Sequence, residues 1–146
     1  MTTRKDWLLV ALSESTNGYL SPVQIQKALF LFRKGAEGHF DTSQFYDFYP
    51  YHYGPFSPDI YYDLEELEKR GLVQIGVSGG GKRKMYFVTP EGRGAADSIR
   101  AESRRAYAYM GNVSRWVSRK EFTALLRYIY RRWPEFRRNS IFVDEA

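Results

Sequence analysis

Apolar residues along this chain fall into helical rhythms interrupted by short extended runs. Trp7, Leu8, Val10, Ala11 and Leu12 form a stripe that predicts a first helix over residues 4–16, ended by Asn17-Gly18. Ser21-Pro22 opens a second helix, with Gln24 where a capping box needs it; Ile25, Ala28, Leu29 and Phe32 share one face, and the glycines at 35 and 38 close it. Residues 39–47 read as a loop. Phe48 to Tyr53 reads as a short extended segment, placed at an edge by Pro50 and turned by Gly54-Pro55. Ser57-Pro58 starts a third helix with the cap chemistry of the second. Ile60, Leu64 and Leu67 lie on its inner face, Gly71 takes the left-handed position after its end, and Leu72 folds back on Leu67. Two β runs at 72–77 and 85–88 flank Ser78 to Lys84, a loop of glycines and basic residues, which is a hairpin pattern. Thr89-Pro90 caps a fourth helix, firm from Ala95 to Met110 and broken at Gly111-Asn112. Ser118 and Glu121 form a capping box for the last helix, whose stripe runs from Phe122 through Leu125, Leu126, Ile129 and Tyr130 to Trp133, with Pro134 stopping it.

Composition narrows the classes. At 146 residues the chain makes one domain, or one with an appendage, able to bury roughly 70% of its unfolded surface. The absence of cysteine excludes disulfides, thiolate metal sites and a Cys nucleophile. No apolar run approaches the ~20 residues that span a bilayer, and the first residues lack a signal-peptide pattern, so a cytoplasmic protein with no membrane role is expected. The net charge of +5 is unevenly spread: residues 41–70 carry seven acidic and two basic groups, and residues 100–138 eleven basic and three acidic. A basic C-terminal third suits nucleic acid, an acidic protein partner, or a solvated helix face.

The order helix, helix, short strand, helix, strand, glycine-basic loop, strand is that of a winged helix-turn-helix. Leu64, Leu67, Gly71, Leu72, Val73 and Thr89 to Arg93 resemble the last helix, wing and following Thr-Pro-Glu-Gly-Arg start of PadR-like bacterial winged-helix proteins. Ile25 to Phe30, Tyr53-Gly54-Pro55 and Asp63-Leu64 are similar to the Gln-Lys-Leu and Tyr-Gly-Pro motifs of Panacea-type (SocA-like) antitoxin domains and their bacterial and phage relatives, with Ala28 where that family usually shows leucine. The first resemblance implies a mainly α fold with a small β-hairpin. The second implies toxin neutralisation or an adaptor role. The expected division is a winged-helix core over 1–92 and a C-terminal helical extension over 93–146 packed on it.

By position the third helix is the recognition helix, which in such proteins lies in the major groove. Its inner face leaves Asp59, Tyr62, Asp63 and Glu66 pointing outward, three of them acids. A carboxylate accepts from cytosine, yet residues 57–70 hold five acids against Lys69 and Arg70, a charge the phosphate backbone repels. The acids also complement the helix N-terminus. Two other nucleic-acid surfaces remain: the wing, with Lys82, Arg83 and Lys84, and the basic C-terminal surface, with Arg100, Arg104, Arg105, Arg115, Arg119, Lys120 and Arg127. The wing residues read equally as a solvated hairpin tip.

The competing class is protein binding. Tyr46, Tyr49, Tyr51, Tyr53, Phe56, Tyr61 and Tyr62 crowd one stretch, and tyrosine is enriched at interface hot spots. About half are expected in the core and one or two exposed, Tyr62 foremost. Tyr51, Tyr53, Asp59, Tyr62, Asp63 and Glu66 are the candidate protein-binding set. Catalysis is not expected. His39 and His52 lack metal-ligand spacing, Ser13, Ser21, Ser57 and Ser118 read as caps or helix ends, and Gly79-Gly80-Gly81-Lys82 is no phosphate loop. Helical acids on an exposed face could hold Mg²⁺ but are ordinarily solvated. No cofactor or metal is expected. The preferred expectation is a non-enzymatic winged-helix protein that binds DNA or regulates its use through the wing and C-terminal helices; the alternative is an antitoxin-like adaptor that docks a toxin or regulator. A homodimer through the last helix is a third feature, unless its stripe closes the monomer core.

Overall fold

A computed structural model describes residues 2–39, 42–78, 81 and 83–142. The elements are α1 (Arg4–Ser13), β1 (Tyr19–Leu20), α2 (Pro22–Ala36), β2 (Tyr49–Tyr51), β3 (Gly54–Phe56), α3 (Pro58–Lys69), β4 (Val73–Val77), β5 (Lys84–Val88), α4 (Pro90–Glu102), α5 (Arg104–Ser118), α6 (Phe122–Arg132) and a 3₁₀ turn at Pro134–Arg137. The chain is mainly helical with two small antiparallel sheets, ordered β1-β5-β4 and β2-β3.

The core is organised around α1. Trp7 to Leu12 are six consecutive buried residues, so this helix is covered on every side rather than along one stripe. α2, α3, α4, α5 and β5 all pack on it. Ser114 of α5 donates its hydroxyl to the Ala11 carbonyl, fixing the two helices in register. The stripe of α6 is spent inward: Leu125, Leu126, Ile129 and Tyr130 are buried, each worth about 1.5–3 kcal/mol of apolar transfer for the three aliphatic side chains.

The end of α3 closes as its residues predict. Gly71 has φ +77, Leu72 N–H donates to Leu67 O at 3.0 Å and Gly71 N–H to Glu68 O at 3.0 Å, the paired bonds of a Schellman motif. Thr89 then joins two elements. Its hydroxyl accepts from Gly92 N–H at 3.0 Å, capping α4, and donates to Gly71 O at 2.7 Å. Gly92 is needed there, because a Cβ would overlap the Leu72 carbonyl. The Thr-Pro-Glu-Gly-Arg stretch is thus a splice between the end of α3 and the start of α4.

Several boundaries differ from the sequence expectation. α2 runs through Gly35, whose bare backbone lies under the Tyr109 hydroxyl. The extended segment at Phe48–Tyr53 is a hairpin with β3, in the register Tyr49↔Phe56 and Tyr51↔Gly54. β1 has only two residues, too few to show an alternation, yet it pairs with β5 and extends the β4–β5 hairpin to three strands. Ser57 occupies the N-cap of α3 without a side-chain bond to it. The fourth helix breaks at Ser103, not at Gly111, which sits inside α5 where a Cβ would press at 3.0 Å on Glu14 and Arg115. Ser118 does not cap α6. It ends α5, donating to Ser114 O at 2.7 Å and accepting from Thr16 N–H at 3.3 Å, and Glu121 takes the N-cap of α6. No helix among the described residues is long and apolar enough to cross a membrane.

Candidate nucleic-acid interface

The acids of α3 are held by the first turn of α1. Arg4 reaches both Asp59 (Nη1–Oδ2, 3.5 Å) and Asp63 (Nε–Oδ2, 3.0 Å), and Lys5 Nζ lies 2.6 Å from Glu66 Oε1. Asp63 does not face outward: it is buried, and also accepts from the Tyr46 hydroxyl at 2.7 Å. Ile60, Leu64 and Leu67 face inward and Asp59, Tyr62 and Glu66 outward as expected, and Asp63 alone turns in, to partners that lie far off in sequence. Burial first, then the bond to Asp63, pushes the Tyr46 hydroxyl far above its ordinary range. The bond to Lys5, with its charge, holds the Glu66 carboxyl below its ordinary value. The exposed face of α3 still presents Asp59, Tyr62, Glu65 and Glu66. Glu68 turns aside to accept from Ile75 N–H at 3.0 Å. This face has the wrong sign for a phosphate backbone.

The β4–β5 hairpin meets the turn between α5 and α6. Arg83 and Lys84 of the hairpin, Ser21 to Gln24 at the start of α2, and Lys120 to Thr123 at the start of α6 line one groove of about 760 Å³. Ser78 N–H donates to Arg83 O at 2.8 Å and closes the hairpin tip; Lys82 lies outside the described residues. Lys84 Nζ sits 5.5 Å over the Tyr86 ring and Lys120 Nζ 5.0 Å over the Trp116 ring, so both cations are seated on aromatic faces. Among the described residues no ion pair engages Arg83, Lys84, Arg119 or Lys120. The start of α2 is closed by reciprocal Ser21–Gln24 bonds, whereas the first turn of α6 receives no side-chain cap from Glu121. The carboxyl of Glu121 lines the same groove and offsets part of its charge.

The remaining basic residues do not join this groove. Arg100, Arg104 and Arg115 line a second one of about 610 Å³ together with Glu14 and Asp97. Arg100 pairs with Asp97 at 3.6 Å and donates to the Tyr107 hydroxyl at 3.3 Å, and Arg115 pairs with Glu14 at 3.2 Å. Arg105 is exposed in the first turn of α5, Arg119 is exposed beside Lys120, and Arg127 is half-buried on α6. The basic footprint is therefore two surfaces, and the one carrying Arg100 and Arg115 is already occupied by acids.

The tyrosine-rich stretch is anchored by α2. Gln26, buried, donates to Ser57 O and accepts from Ser57 N–H, both at 2.8 Å. Lys27, 3% exposed, donates to Pro55 O at 2.9 Å, and burial lowers its ammonium from the ordinary 10.5 to about 7. The Gln-Lys and Tyr-Gly-Pro motifs thus meet in space and fix the β2–β3 hairpin. Tyr46 is fully buried, and Phe56 and Tyr61 are half-buried. Four tyrosines remain exposed, more than the one or two expected: Tyr49 (58%), Tyr51 (47%), Tyr53 (41%) and Tyr62 (67%). Tyr51 lies between His52 and Phe56, at centroid distances of 4.3 and 4.8 Å, and Tyr53 abuts Phe122 of α6 at 5.2 Å. The sequence reading missed Arg4 and Lys5 as partners of the α3 acids, and Trp116 as the seat of Lys120. The complementary charges of 4–5 and 59–66 were the available signal for the first; nothing in the sequence marked the second.

Comparison with family models, with curated proteins and with solved structures found no match for this chain.

Proposed function

We propose that this is a non-enzymatic winged-helix protein that binds DNA through the groove between its wing and α6, with α3 turned away from the phosphates. The carrying observation is that Arg83 and Lys84 line one groove with Lys120, distant in sequence, and that among the described residues no ion pair engages any of the three. The order α1, β1, α2, α3, β4, β5 and the β1-β5-β4 sheet support the winged-helix reading. Each phosphate contact adds about 0.9 to the salt slope, so three contacts weaken binding roughly 40-fold between about 50 and about 200 mM salt. Titration of random duplex DNA over that range tests this, with Lys82, Arg83 and Lys84 changed to Ala as comparison. The triple variant is expected to lose most of the slope. Absence of salt-sensitive binding at low ionic strength would refute the proposal.

The exposed Tyr49, Tyr51, Tyr53 and Tyr62 favour a second reading, an antitoxin-like adaptor whose partner docks on the hairpin and α3. Its test is a pull-down from the native host comparing wild type with Tyr62→Ala plus Glu66→Lys. Unchanged recovery of every partner counts against that surface.

A further inference from the structure

A third groove, of about 370 Å³, opens between α2, α5 and α6. Its walls are aromatic: Trp116 and Tyr128 have centroids 4.9 Å apart, and Tyr128 and Trp133 6.5 Å apart. All three rings are only half-buried, outside the core proper. Its floor is flat because Gly35 has no side chain, which lets Tyr109 lie against α2 and donate to Leu31 O at 3.4 Å. Arg132 and Lys34, the latter paired with Glu37 at 3.5 Å, stand at the rim, and among the described residues no carboxylate lines it. The Arg132 guanidinium lies 5.4 Å from both the Tyr128 and Trp133 rings.

This chemistry selects its ligand. Two cations exclude a cationic guest from what would otherwise be an aromatic cage. The rings are inclined to one another, Trp116 to Tyr128 by 58° and Tyr128 to Trp133 by 67°, and with a positive rim they suit a planar heterocycle bearing an anion, in a volume that suits one small-molecule-sized group. One side-chain contact links it to the groove at the β4–β5 hairpin. Lys120 lines that groove and sits over Trp116, which walls this one. Basic and aromatic side chains in succession are the usual arrangement for single strands, whose unstacked bases expose their faces.

We propose that the aromatic groove seats an unpaired base of a single-stranded nucleic acid, stacked on Tyr128 and edge-on to Trp116, with its phosphate toward Arg132. The assignment rests on the wing groove being a phosphate track, and it adds base stacking and a preference for single strands.

The test uses the full chain with a labelled oligothymidine, an abasic oligonucleotide of equal length and a duplex, followed by anisotropy and tryptophan fluorescence. Two of the three tryptophans line the groove and Trp7 is buried in the core, so quenching reports on the site. Oligothymidine is expected to bind about tenfold or more tighter than the abasic strand and to quench the emission. Tyr128→Ala should remove that preference and leave duplex binding unchanged, and Tyr128→Phe, which keeps the ring, should retain it. Lys84→Ala with Lys120→Ala should weaken every oligonucleotide. Equal affinity for the thymidine and abasic strands without quenching overturns the base site while leaving the phosphate track standing. Thymidine monophosphate saturating the quench at the concentration of the oligonucleotide overturns the strand assignment in favour of a free nucleotide. No binding of any of these overturns both readings.

Discussion

Lys27→Met is expected to abolish a rise of stability with pH that the wild-type protein shows. Lys27 is buried beneath the β2–β3 hairpin with Pro55 O as its hydrogen-bond acceptor, and burial lowers it to about 7. In the unfolded chain its pKa returns to 10.5. Between these values the unfolded state binds the extra proton, so stability increases with pH. The penalty is fully present below about pH 7 and is relieved as the pH climbs toward the unfolded value. At 1.36 kcal/mol per unit, with half of the first unit lost to partial titration, the gain from about pH 7 to about pH 9 is about 2 kcal/mol. Tyrosines set the upper bound of the window. Burial raises Tyr61 and Tyr86 to about 12, and Tyr46 moves in the same direction, so their contribution is lost only as the unfolded tyrosines ionise near pH 10. Urea unfolding at both pH values reads the effect. With a slope near 2 kcal/mol per molar, the wild-type midpoint should rise by about 1 M while the Lys27→Met midpoint stays level. Subtracting the two curves cancels every other group that titrates in this range. Parallel pH dependences for the two proteins would show that Lys27 is charged in the folded state and that the cover over it is open to water.

Two further substitutions probe the supports of the candidate sites. Gln26→Leu leaves the Ser57 N–H buried without a partner and its carbonyl with only the Ile60 N–H at 3.3 Å, and should cost about 1–3 kcal/mol in denaturant unfolding while raising protease cleavage in the β2–β3 hairpin; a loss below about 0.5 kcal/mol would mean that water replaces the amide. Asp63→Ala strands the Tyr46 hydroxyl and frees Arg4, so a loss of about 3 kcal/mol is expected, most of it recovered in a Tyr46→Phe background; additive losses in the double mutant would argue against a shared network.

The capped and turned elements were legible because their determinants are local. Leu67, Glu68, Gly71 and Leu72 close α3 within a few residues, and glycine is the only residue that adopts φ +77 without strain. Elements decided by distant contacts were not. Gly35 and Gly111 read as breakers, yet both are internal to helices because Tyr109 and the Glu14–Arg115 pair need the space. Ser118 and Glu121 have capping-box spacing, but the Ser118 hydroxyl is drawn to Thr16, which no local pattern reveals. The same holds for the candidate sites. Wing charge was visible in sequence, whereas the meeting of Lys84 with Lys120, and of Lys120 with Trp116, is a product of packing.

Charge pairing with the first turn of α1 explains why α3 is acidic. Arg4 and Lys5 lie at the start of α1, and three carboxylates of α3 close on them. Of these contacts only Arg4–Asp63 is substantially withdrawn from water, and it alone leaves a costly charge if broken. Asp59 and Glu66 are more than half exposed, so their pairs contribute little to stability. Their sign still matters at the surface. With Glu65 they keep the field over α3 negative, while Arg83, Lys84 and Lys120 keep it positive at the wing groove. A polyanion near this surface would be repelled over α3 and attracted at that groove, so under the proposed function the charge on α3, and not its place in the chain, decides which face is used.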